Sequence, residues 1–179
     1  NGEIYNFPEL MEELKQLGHT FRTHCDTEVI VHAWEQWGER CVERFRGMFA
    51  FGLWDRNRHI LFLARDRLGI KPLYYAPLSD GMLVFGSELK ALKAHPRLPR
   101  DIDPCAVEEY FGYGYVPEPR TIFKNVHKLA PGHTLTLRVG APVPEPRQYW
   151  DVPFQAHAPM SEQEAQEELI VRLREAVKI

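Results

Sequence analysis

The first residues of the chain, Asn1-Gly2-Glu3, combine groups that can take part in acyl transfer. The side-chain amide of Asn1 and the backbone N–H of Gly2 can both point at an oxygen that gains negative charge, as in an oxyanion hole. Glycine suits such a site because it lets the backbone approach a substrate closely. The same dipeptide is also typical of a hairpin turn, since both residues tolerate positive φ. On the dipeptide alone the turn is favoured, and both interpretations stay open.

Two carboxylates can complement this site if they fold next to it. Asp26 precedes a predicted helix, where an aspartate commonly caps the first turn. It can instead pair with the ammonium group of a substrate, and Glu3 can do the same or remain solvated. Together, Asp26 and Glu3 would form an acidic pocket suited to the α-amino group of an amino acid. The isolated pattern favours the cap for Asp26.

Other polar residues give weaker signals. The segment 65–72 (RDRLGIKP) places four charges at a strand end, and its simplest interpretation is a surface turn with ion pairs. Cys25, Cys41 and Cys105 are too widely spaced to predict a disulfide framework or a zinc site. No glycine-rich phosphate loop occurs in the sequence. The histidines show no metal-ligand spacing, so no metal site is predicted at His19, His24, His32, His59, His95, His127, His133 or His157.

Composition excludes several classes of function. The chain has 179 residues, 22 basic and 25 acidic side chains and a net charge of -3, so we expect no long-range attraction to nucleic acid or to an anionic membrane. No apolar run has the length of a membrane-spanning helix, and no signal-peptide pattern is visible. The widely spaced cysteines fit a reducing compartment. A cytoplasmic globular protein is therefore expected.

Two predicted helices would position Asp26. The first begins after Asn6, which forms a capping-box pattern with Glu9, and it ends near Gly18. The second follows Asp26, carries an apolar stripe and ends at Gly38.

Apolar runs predict strands after these helices. Residues 48–54 and 60–64 are almost wholly apolar and flank a polar turn, which indicates an antiparallel hairpin covered on both faces. A short helix is predicted around residues 107–111. Helices combined with covered antiparallel strands indicate an α+β fold, in which two sheets pack face to face with helices outside. Further strands are predicted at residues 73–76, 82–85, 122–126 and 134–139.

Proline-rich segments and a final helix predict a domain boundary. Residues 93–104 form a proline-rich excursion, and a second proline-rich passage covers residues 142–159. A helix with a capping box at Ser161 then runs to the last residue without a stop signal. We expect one domain at residues 1–151, and at residues 152–179 a linker with the start of another domain, the chain being cut at both ends.

Five motifs follow one another along the chain. They stand at residues 1–6 (NGEIYN), 26–28 (DTE), 45–51 (FRGMFAF), 65–75 (RDRLGIKPLYY) and 85–91 (FGSELKA). In this order and spacing they resemble the glutamine-hydrolysing asparagine synthetases. The resemblance covers essentially the whole chain, and five consecutive motifs are far more specific than one.

This resemblance implies a fold and a reaction. The fold is a class II glutamine amidotransferase domain, a four-layer α-β-β-α sandwich of the N-terminal nucleophile type, truncated at its N-terminus and followed by the first helix of an α/β synthetase domain. In such enzymes an N-terminal cysteine attacks the side-chain amide of L-glutamine, with its own α-amine as the base. The released ammonia reaches the second domain. There ATP, with Mg²⁺, activates the β-carboxylate of L-aspartate, and ammonia converts it to asparagine.

The resemblance also assigns roles to residues. Asn1 and Gly2 are similar to the oxyanion hole of the family, and Gly2 and Glu3 to part of its glutamine-binding wall. Asp26 is similar to the residue that holds the ammonium group of glutamine.

Parts of the family pattern are missing from the sequence. The three cysteines are internal and cannot supply an N-terminal amine, so none is expected to be the nucleophile. The arginine loop that binds the glutamine carboxylate and the Ser-Gly-Gly-x-Asp-Ser pyrophosphate loop are also absent. We therefore expect this chain alone to bind glutamine but to show neither glutaminase nor synthetase activity.

Two alternatives remain open. Residues 113–123 and 146–151 resemble bacterial members linked to exosortase and exopolysaccharide gene clusters. The first alternative is therefore a sibling amidotransferase that amidates another carboxylate. The second is a non-catalytic amino-acid-binding module. A homodimer is compatible with the resemblance, and the sequence itself is silent on assembly.

Overall fold

The computed structural model describes residues 1–154 and 160–178. Among the described helices, none combines the length and the apolar character that crossing a membrane requires. A 3-10 turn at Gly38–Arg40 lies between the second and third α-helices. The described strands are β1 (Gly2–Ile4), β2 (Gly47–Asp55), β3 (Ile60–Arg65), β4 (Tyr74–Pro77), β5 (Leu83–Gly86), β6 (His127–Lys128), β7 (His133–Arg138) and β8 (Arg147–Gln148). The described α-helices are α1 (Phe7–Gln16), α2 (Asp26–Trp37), α3 (Cys41–Arg44), α4 (Leu89–Lys93), α5 (Pro104–Tyr113) and α6 (Glu162–Lys178).

Two antiparallel sheets form the centre of the molecule. The larger has the strand order β1-β2-β3-β7-β8, and the smaller has the order β5-β4-β6. The hairpin of β2 and β3 is confirmed where two apolar runs predicted it. At one edge of the larger sheet, β1 pairs with β2, with Gly2 opposite Phe49 and Ile4 opposite Gly47. This edge strand carries the first three candidate residues.

Groups of buried side chains show four layers. Consecutive residues of a strand point to opposite faces of a sheet, and β3 uses both faces in this way. Phe62 packs with Leu14 beneath α1 and α2, whereas Leu63 packs with Tyr75 between the two sheets. The outer face of the smaller sheet is covered by a third group that includes Leu92 of α4. The predicted α+β arrangement, two sheets face to face with helices outside, is confirmed.

Two strand predictions are wrong. The segment 122–126 is a turn, because the hydroxyl of Thr121 donates to the carbonyl of Val126 at 2.8 Å and Asn125 has a φ of 58°. The strand there is β6, one residue further on. The sequence also predicted that both faces of the hairpin strands are covered. This is confirmed for β3 but is wrong at the end of β2, where Trp54 is 48% exposed. The short strand β8 was not predicted, since it lies within the proline-rich passage.

The two predicted capping boxes have different outcomes. At α1 the box is wrong: the Asn6 amide donates to the carbonyl of Arg44 at 3.0 Å and its oxygen accepts from the N–H of Arg46 at 2.8 Å. Asn6 thus ties the start of α1 to the segment before β2. At α6 the box is confirmed, because the N–H and the hydroxyl of Ser161 both donate to Glu164 at 2.9 and 2.7 Å.

The last helix, α6, is exposed to solvent along its length. None of the residues of α6 is buried, and its apolar side chains, among them Leu169 and Leu173, are exposed. Residues 155–159 of the second proline-rich passage and Ile179 lie outside the described residues. The division of the chain into domains at residues 151 and 152 stays a prediction.

Candidate functional site

Asn1 and Gly2 lie in an extended edge, so the hairpin-turn interpretation is wrong. Asn1 exchanges two hydrogen bonds with Ala50 of β2: its amino group donates to the Ala50 carbonyl at 3.1 Å, and its carbonyl accepts from the Ala50 N–H at 2.9 Å. Gly2 has a φ of 114°, and a Cβ there would lie 1.9 Å from the carbonyl oxygen of Met48. The close approach of β2 therefore requires a glycine at this position.

The pairing of β1 determines which of its backbone groups stay open. In an antiparallel pair, residues alternate between those bonded to the partner and those facing away from it. Because Asn1 exchanges bonds with Ala50, Gly2 and Ile4 are the residues whose N–H groups face the open edge. Glu3 lies between them, opposite Met48, and is exposed.

Asp26 lies at this open edge. Its Oδ2 accepts a hydrogen bond from the N–H of Ile4 at 3.1 Å, and the residue is half-buried. Asp26 is the first residue of α2, whose N-cap is Cys25, and no side-chain cap bond is formed there. The capping interpretation is therefore wrong, and the structure brings Asp26 next to the strand that holds Asn1, Gly2 and Glu3.

The loop before Asp26 is held by Glu28. The Glu28 carboxylate accepts hydrogen bonds from the N–H groups of Arg22 and Thr23 at 2.8 and 2.7 Å and from the Thr23 hydroxyl. Bonds from the Thr23 hydroxyl and the Arg22 N–H lower the pKa of Glu28 from 4.5 to about 2. Glu28 therefore stays ionised at neutral pH and fixes the entry into α2, where Asp26 stands.

A buried aspartate supports β2 from its other side. Asp66 is 1% exposed, and its carboxylate accepts from the N–H groups of Leu68, Ile70 and Lys71 at 3.2, 3.0 and 2.9 Å. Its own N–H donates to the carbonyl of Phe49 at 2.8 Å. The interpretation of segment 65–72 as a surface turn is wrong, because this carboxylate organises a buried loop.

The neighbouring arginine has a comparable structural role. Arg65 is 5% exposed and donates to the carbonyls of Lys71, Gly69 and Leu129 at 2.8, 2.8 and 2.7 Å. It also pairs with Glu118 at 3.3 Å. One guanidinium therefore joins the adjacent loop at Gly69 and Lys71 to Glu118 and Leu129, which are 53 and 64 positions away. The long-range partners carry no local signal, so sequence analysis missed this role.

The cysteines do not supply a nucleophile in the described structure. Cys41 is fully buried, and burial raises the pKa of its thiol to about 12. Cys25 and Cys105 are exposed free thiols within the chain.

A separate cavity of about 560 Å³ lies between β4, β6 and the segment 143–146. Burial raises the pKa of Tyr75 and lowers that of His127 in its wall, although the Glu145 carboxylate opposes the shift of His127. Both side chains are therefore neutral at neutral pH. None of the predicted glutamine-binding residues lines this cavity, so it is not the candidate site.

Solved structures identify the class of this fold. Glutamine phosphoribosylpyrophosphate amidotransferase from Bacillus subtilis, complexed with ADP and GMP, matches 84% of this chain with a TM-score of 0.55, 20% sequence identity and 28% of its own chain covered. A structure described as the allosteric regulatory enzyme of purine biosynthesis matches 84% of the chain with a TM-score of 0.56 and 20% identity. The chain therefore shares the fold of these two structures, and the α+β fold that the resemblance implied is confirmed.

Sequence comparisons then identify the family. The chain belongs to the glutamine amidotransferase domain family, whose model matches residues 1–150. Asparagine synthetase [glutamine-hydrolyzing] 3 of Bacillus subtilis is 42% identical over 159 residues, and asparagine synthetase 1 of the same organism is 44% identical over 138 residues. These alignments cover 88% and 77% of this chain. The resemblance based on five motifs is confirmed.

The relatives are much longer than this chain. The alignments cover only 25% and 22% of the two Bacillus subtilis proteins. A third relative, Amidase chyE of Penicillium rubens, is 35% identical, with 100% of this chain and 26% of that protein covered. The chain therefore spans about a quarter of the length of the curated relatives it matches.

Proposed function

We propose that this chain is the glutamine-binding part of a glutamine-hydrolysing asparagine synthetase, which uses ammonia from glutamine to amidate aspartate with ATP. The support is its family membership and its identity of 42% and 44% to two proteins that bear that name. The free thiols of Cys25, Cys41 and Cys105 support a cytoplasmic location. The chain itself is inactive in this proposal, since the nucleophile lies outside it.

The position of Asp26 at the open edge of β1 carries this proposal. Asp26 accepts from the N–H of Ile4, and the N–H of Gly2 faces the same edge two residues earlier. Two residues of a strand span about 7 Å, a length comparable to that of an extended glutamine from its amino nitrogen to its side-chain oxygen. The Gly2 N–H can therefore meet the amide oxygen while the Asp26 carboxylate holds the ammonium group.

This arrangement has a defined role in amide hydrolysis. Negative charge develops on the amide oxygen when a nucleophile attacks, and the Gly2 N–H with the Asn1 amide would stabilise it. Asp26 orients the substrate by holding its charged end. Glu3, on β1 with Gly2, adds a second negative charge. We place the nucleophilic cysteine in residues that precede Asn1 in the longer protein.

ATP and Mg²⁺ do not fit this chain. The sequence has no glycine-rich loop that could hold a pyrophosphate. We propose that they bind, together with aspartate, in the remaining three quarters of a protein as long as the relatives.

The proposal is tested with the longer protein by replacing Asp26 with asparagine. Asp26→Asn keeps an oxygen that can accept from the Ile4 N–H but removes the charge that holds the ammonium group. We expect the KM for glutamine to rise by at least about tenfold. Activity with ammonium chloride in place of glutamine should be unchanged, because ammonia bypasses this site. Asp80→Asn, on an exposed turn, serves as the control.

The controls separate three outcomes. Unchanged glutamine kinetics in Asp26→Asn would show that the carboxylate does not hold the substrate. An equal loss of glutamine-dependent and ammonia-dependent activity would show that the substitution damages the protein in general. Release of ammonia from glutamine by the purified 179-residue chain, above a buffer control, would contradict the proposed inactivity.

A second candidate is a sibling enzyme that amidates a carboxylate other than that of aspartate. It is favoured by segments 113–123 and 146–151, which resemble the exosortase-linked members, and by the relative named an amidase. The two candidates differ in one product. Asparagine formed from aspartate, glutamine and ATP supports the synthetase, whereas glutamine and ATP consumption without asparagine supports the sibling.

A further inference from the structure

Two histidines and a glutamate converge beside the loop that leads from α1 to α2. His19 follows the end of α1, and His32 and Glu35 are one turn apart on α2. The Nδ1 atoms of the two histidines lie 3.2 Å apart. Oε2 of Glu35 lies 2.9 Å from Nδ1 of His32 and 3.5 Å from Nδ1 of His19. Three potential ligand atoms thus form a small, nearly equilateral triangle.

The size of this triangle matches one face of a tetrahedral zinc site. Ligand atoms placed 2.0–2.1 Å from a tetrahedral zinc ion are separated by about 3.3 Å. The three observed separations, 2.9, 3.2 and 3.5 Å, are distributed around that value. Two imidazole nitrogens with one carboxylate oxygen are also a ligand set that zinc accepts.

The outer ring nitrogens of both histidines face polar oxygens. Nε2 of His19 lies 3.0 Å from Oε1 of Gln36, and Nε2 of His32 lies 3.7 Å from Oε1 of Glu28. The Gln36 oxygen is within hydrogen-bond distance of Nε2 of His19, and an acceptor there leaves the Nδ1 lone pair of His19 for a metal. The ring of Phe21 packs edge-on against His32 with 4.5 Å between ring centroids. Both rings are therefore oriented before a metal binds.

Exposure leaves a path for the ion and for a fourth ligand. The His19 and His32 side chains are 15% and 16% exposed, whereas that of Glu35 is 55% exposed. A water molecule can therefore complete the coordination from the solvent side.

We propose that His19, His32 and Glu35 bind one zinc ion, through Nδ1 of each imidazole and the carboxylate. This proposal differs from the sequence prediction of no metal site, which had no local signal to use because His19 and His32 are 13 residues apart. The ion joins the end of α1 to α2 and stabilises the intervening loop. The observations that support this site are separate from those that support glutamine binding.

The test is metal titration of the purified 179-residue chain after treatment with a chelator. We expect one equivalent of ZnCl₂ to bind with a dissociation constant in or below the micromolar range. Zinc at about 100-fold excess over that constant should raise the unfolding midpoint by about 5 °C or more. Co²⁺ should give the visible absorption of a tetrahedral site without a thiolate charge-transfer band. Binding should weaken on acidification from pH 7, because the imidazoles must be neutral.

Matched variants locate the ion. Glu35→Gln removes an exposed ligand with little risk to folding, and His19→Ala removes a ligand from the loop. Each should weaken zinc binding by at least about 100-fold. His59→Asn removes an exposed histidine in the turn between β2 and β3, and it should bind zinc like the unmodified chain.

The proposal is overturned if the unmodified chain shows neither a thermal shift nor a cobalt spectrum. It is also overturned if Glu35→Gln and His19→Ala bind zinc as tightly as the unmodified chain. A thiolate band in the cobalt spectrum would assign the metal to a cysteine and would equally contradict the site.

Discussion

The carboxylate of Asp26 and the backbone N–H of Ile4 are joined by a hydrogen bond of 3.1 Å between residues that are 22 positions apart. This bond attaches the first turn of α2 to the edge strand of the larger sheet. It places a negative charge where the open N–H groups of β1 are aligned. The same side chain therefore closes part of the edge and, in the proposed function, receives the ammonium group of glutamine.

The double role of Asp26 predicts different stabilities for two variants. Asp26→Ala leaves the N–H of Ile4 without its acceptor and should lower the free energy of unfolding by about 1–3 kcal/mol. Asp26→Asn retains an acceptor oxygen and should lower it by less than about 1 kcal/mol. Urea unfolding of the chain measures both. Equal losses in the two variants would show that charge, and not the hydrogen bond, stabilises this contact.

The close contact between β1 and β2 predicts an unusual cost at Gly2. A Cβ at this position would lie 1.9 Å from the backbone oxygen of Met48, so Gly2→Ala forces the two strands apart. We expect the free energy of unfolding to fall by about 3 kcal/mol or more. Gly140→Ala is the matched control, since Gly140 also has positive φ but open space around it, and it should cost about 1–2 kcal/mol.

Local patterns in the sequence predicted most of the fold. The hairpin of β2 and β3 follows from two apolar runs around a polar turn, and the end of α2 follows from Gly38, which has a φ of 60°. Each of these features depends on neighbours within a few residues. The segment 122–126 was predicted incorrectly because its apolar residues pack from a turn, which the Thr121 hydroxyl stabilises.

Long-range polar contacts could not be predicted from the sequence. Arg65 bonds to the carbonyl of Leu129, 64 residues away, and no local pattern indicates that partner. The approach of His19 to His32 depends on how the loop after α1 folds back against α2. At Asp26 the local pattern predicted a cap, and only the family resemblance predicted its place beside the strand of Asn1, Gly2 and Glu3, where it bonds to Ile4.

The buried loop around Asp66 predicts a strong dependence on one carboxylate. Asp66→Ala removes the acceptor of three backbone N–H groups in a site that is 1% exposed. We expect the free energy of unfolding to fall by about 3 kcal/mol or more. The carboxylate of Asp80 accepts from the N–H of Met82 on an exposed turn. Asp80→Ala should therefore lower the free energy of unfolding by less than about 1 kcal/mol. Similar losses in both variants would contradict the structural role of Asp66.

The environments of the cysteines predict their reactivity. Cys41 is fully buried and has a pKa raised to about 12, whereas Cys25 and Cys105 are exposed. A thiol reagent at pH 8 should therefore modify two thiols quickly in the folded chain and the third only after denaturation. Mass spectrometry of the labelled peptides identifies each site. Fast labelling of Cys41 without denaturant would show that the core around α3 opens readily.

The hydrogen bonds of Glu28 predict a pH dependence of stability. Its pKa is lowered from 4.5 to about 2, first by the Thr23 hydroxyl and then by the N–H of Arg22. A lowered pKa means that the folded state binds the proton less tightly than the unfolded state. The contribution of Glu28 to stability is therefore fully present above about pH 4.5 and is lost as the pH falls toward about 2.

Comparison with Glu28→Gln tests this dependence directly. The difference in unfolding free energy between the two proteins should be constant near neutral pH and should shrink steadily below about pH 4.5. Urea unfolding at a series of pH values, in buffer with a metal chelator, measures it. Glu108→Gln, on the exposed side of α5, is the control for removing a carboxylate. A difference that stays constant down to about pH 2.5 would show that the charge of Glu28 does not hold the loop before Asp26.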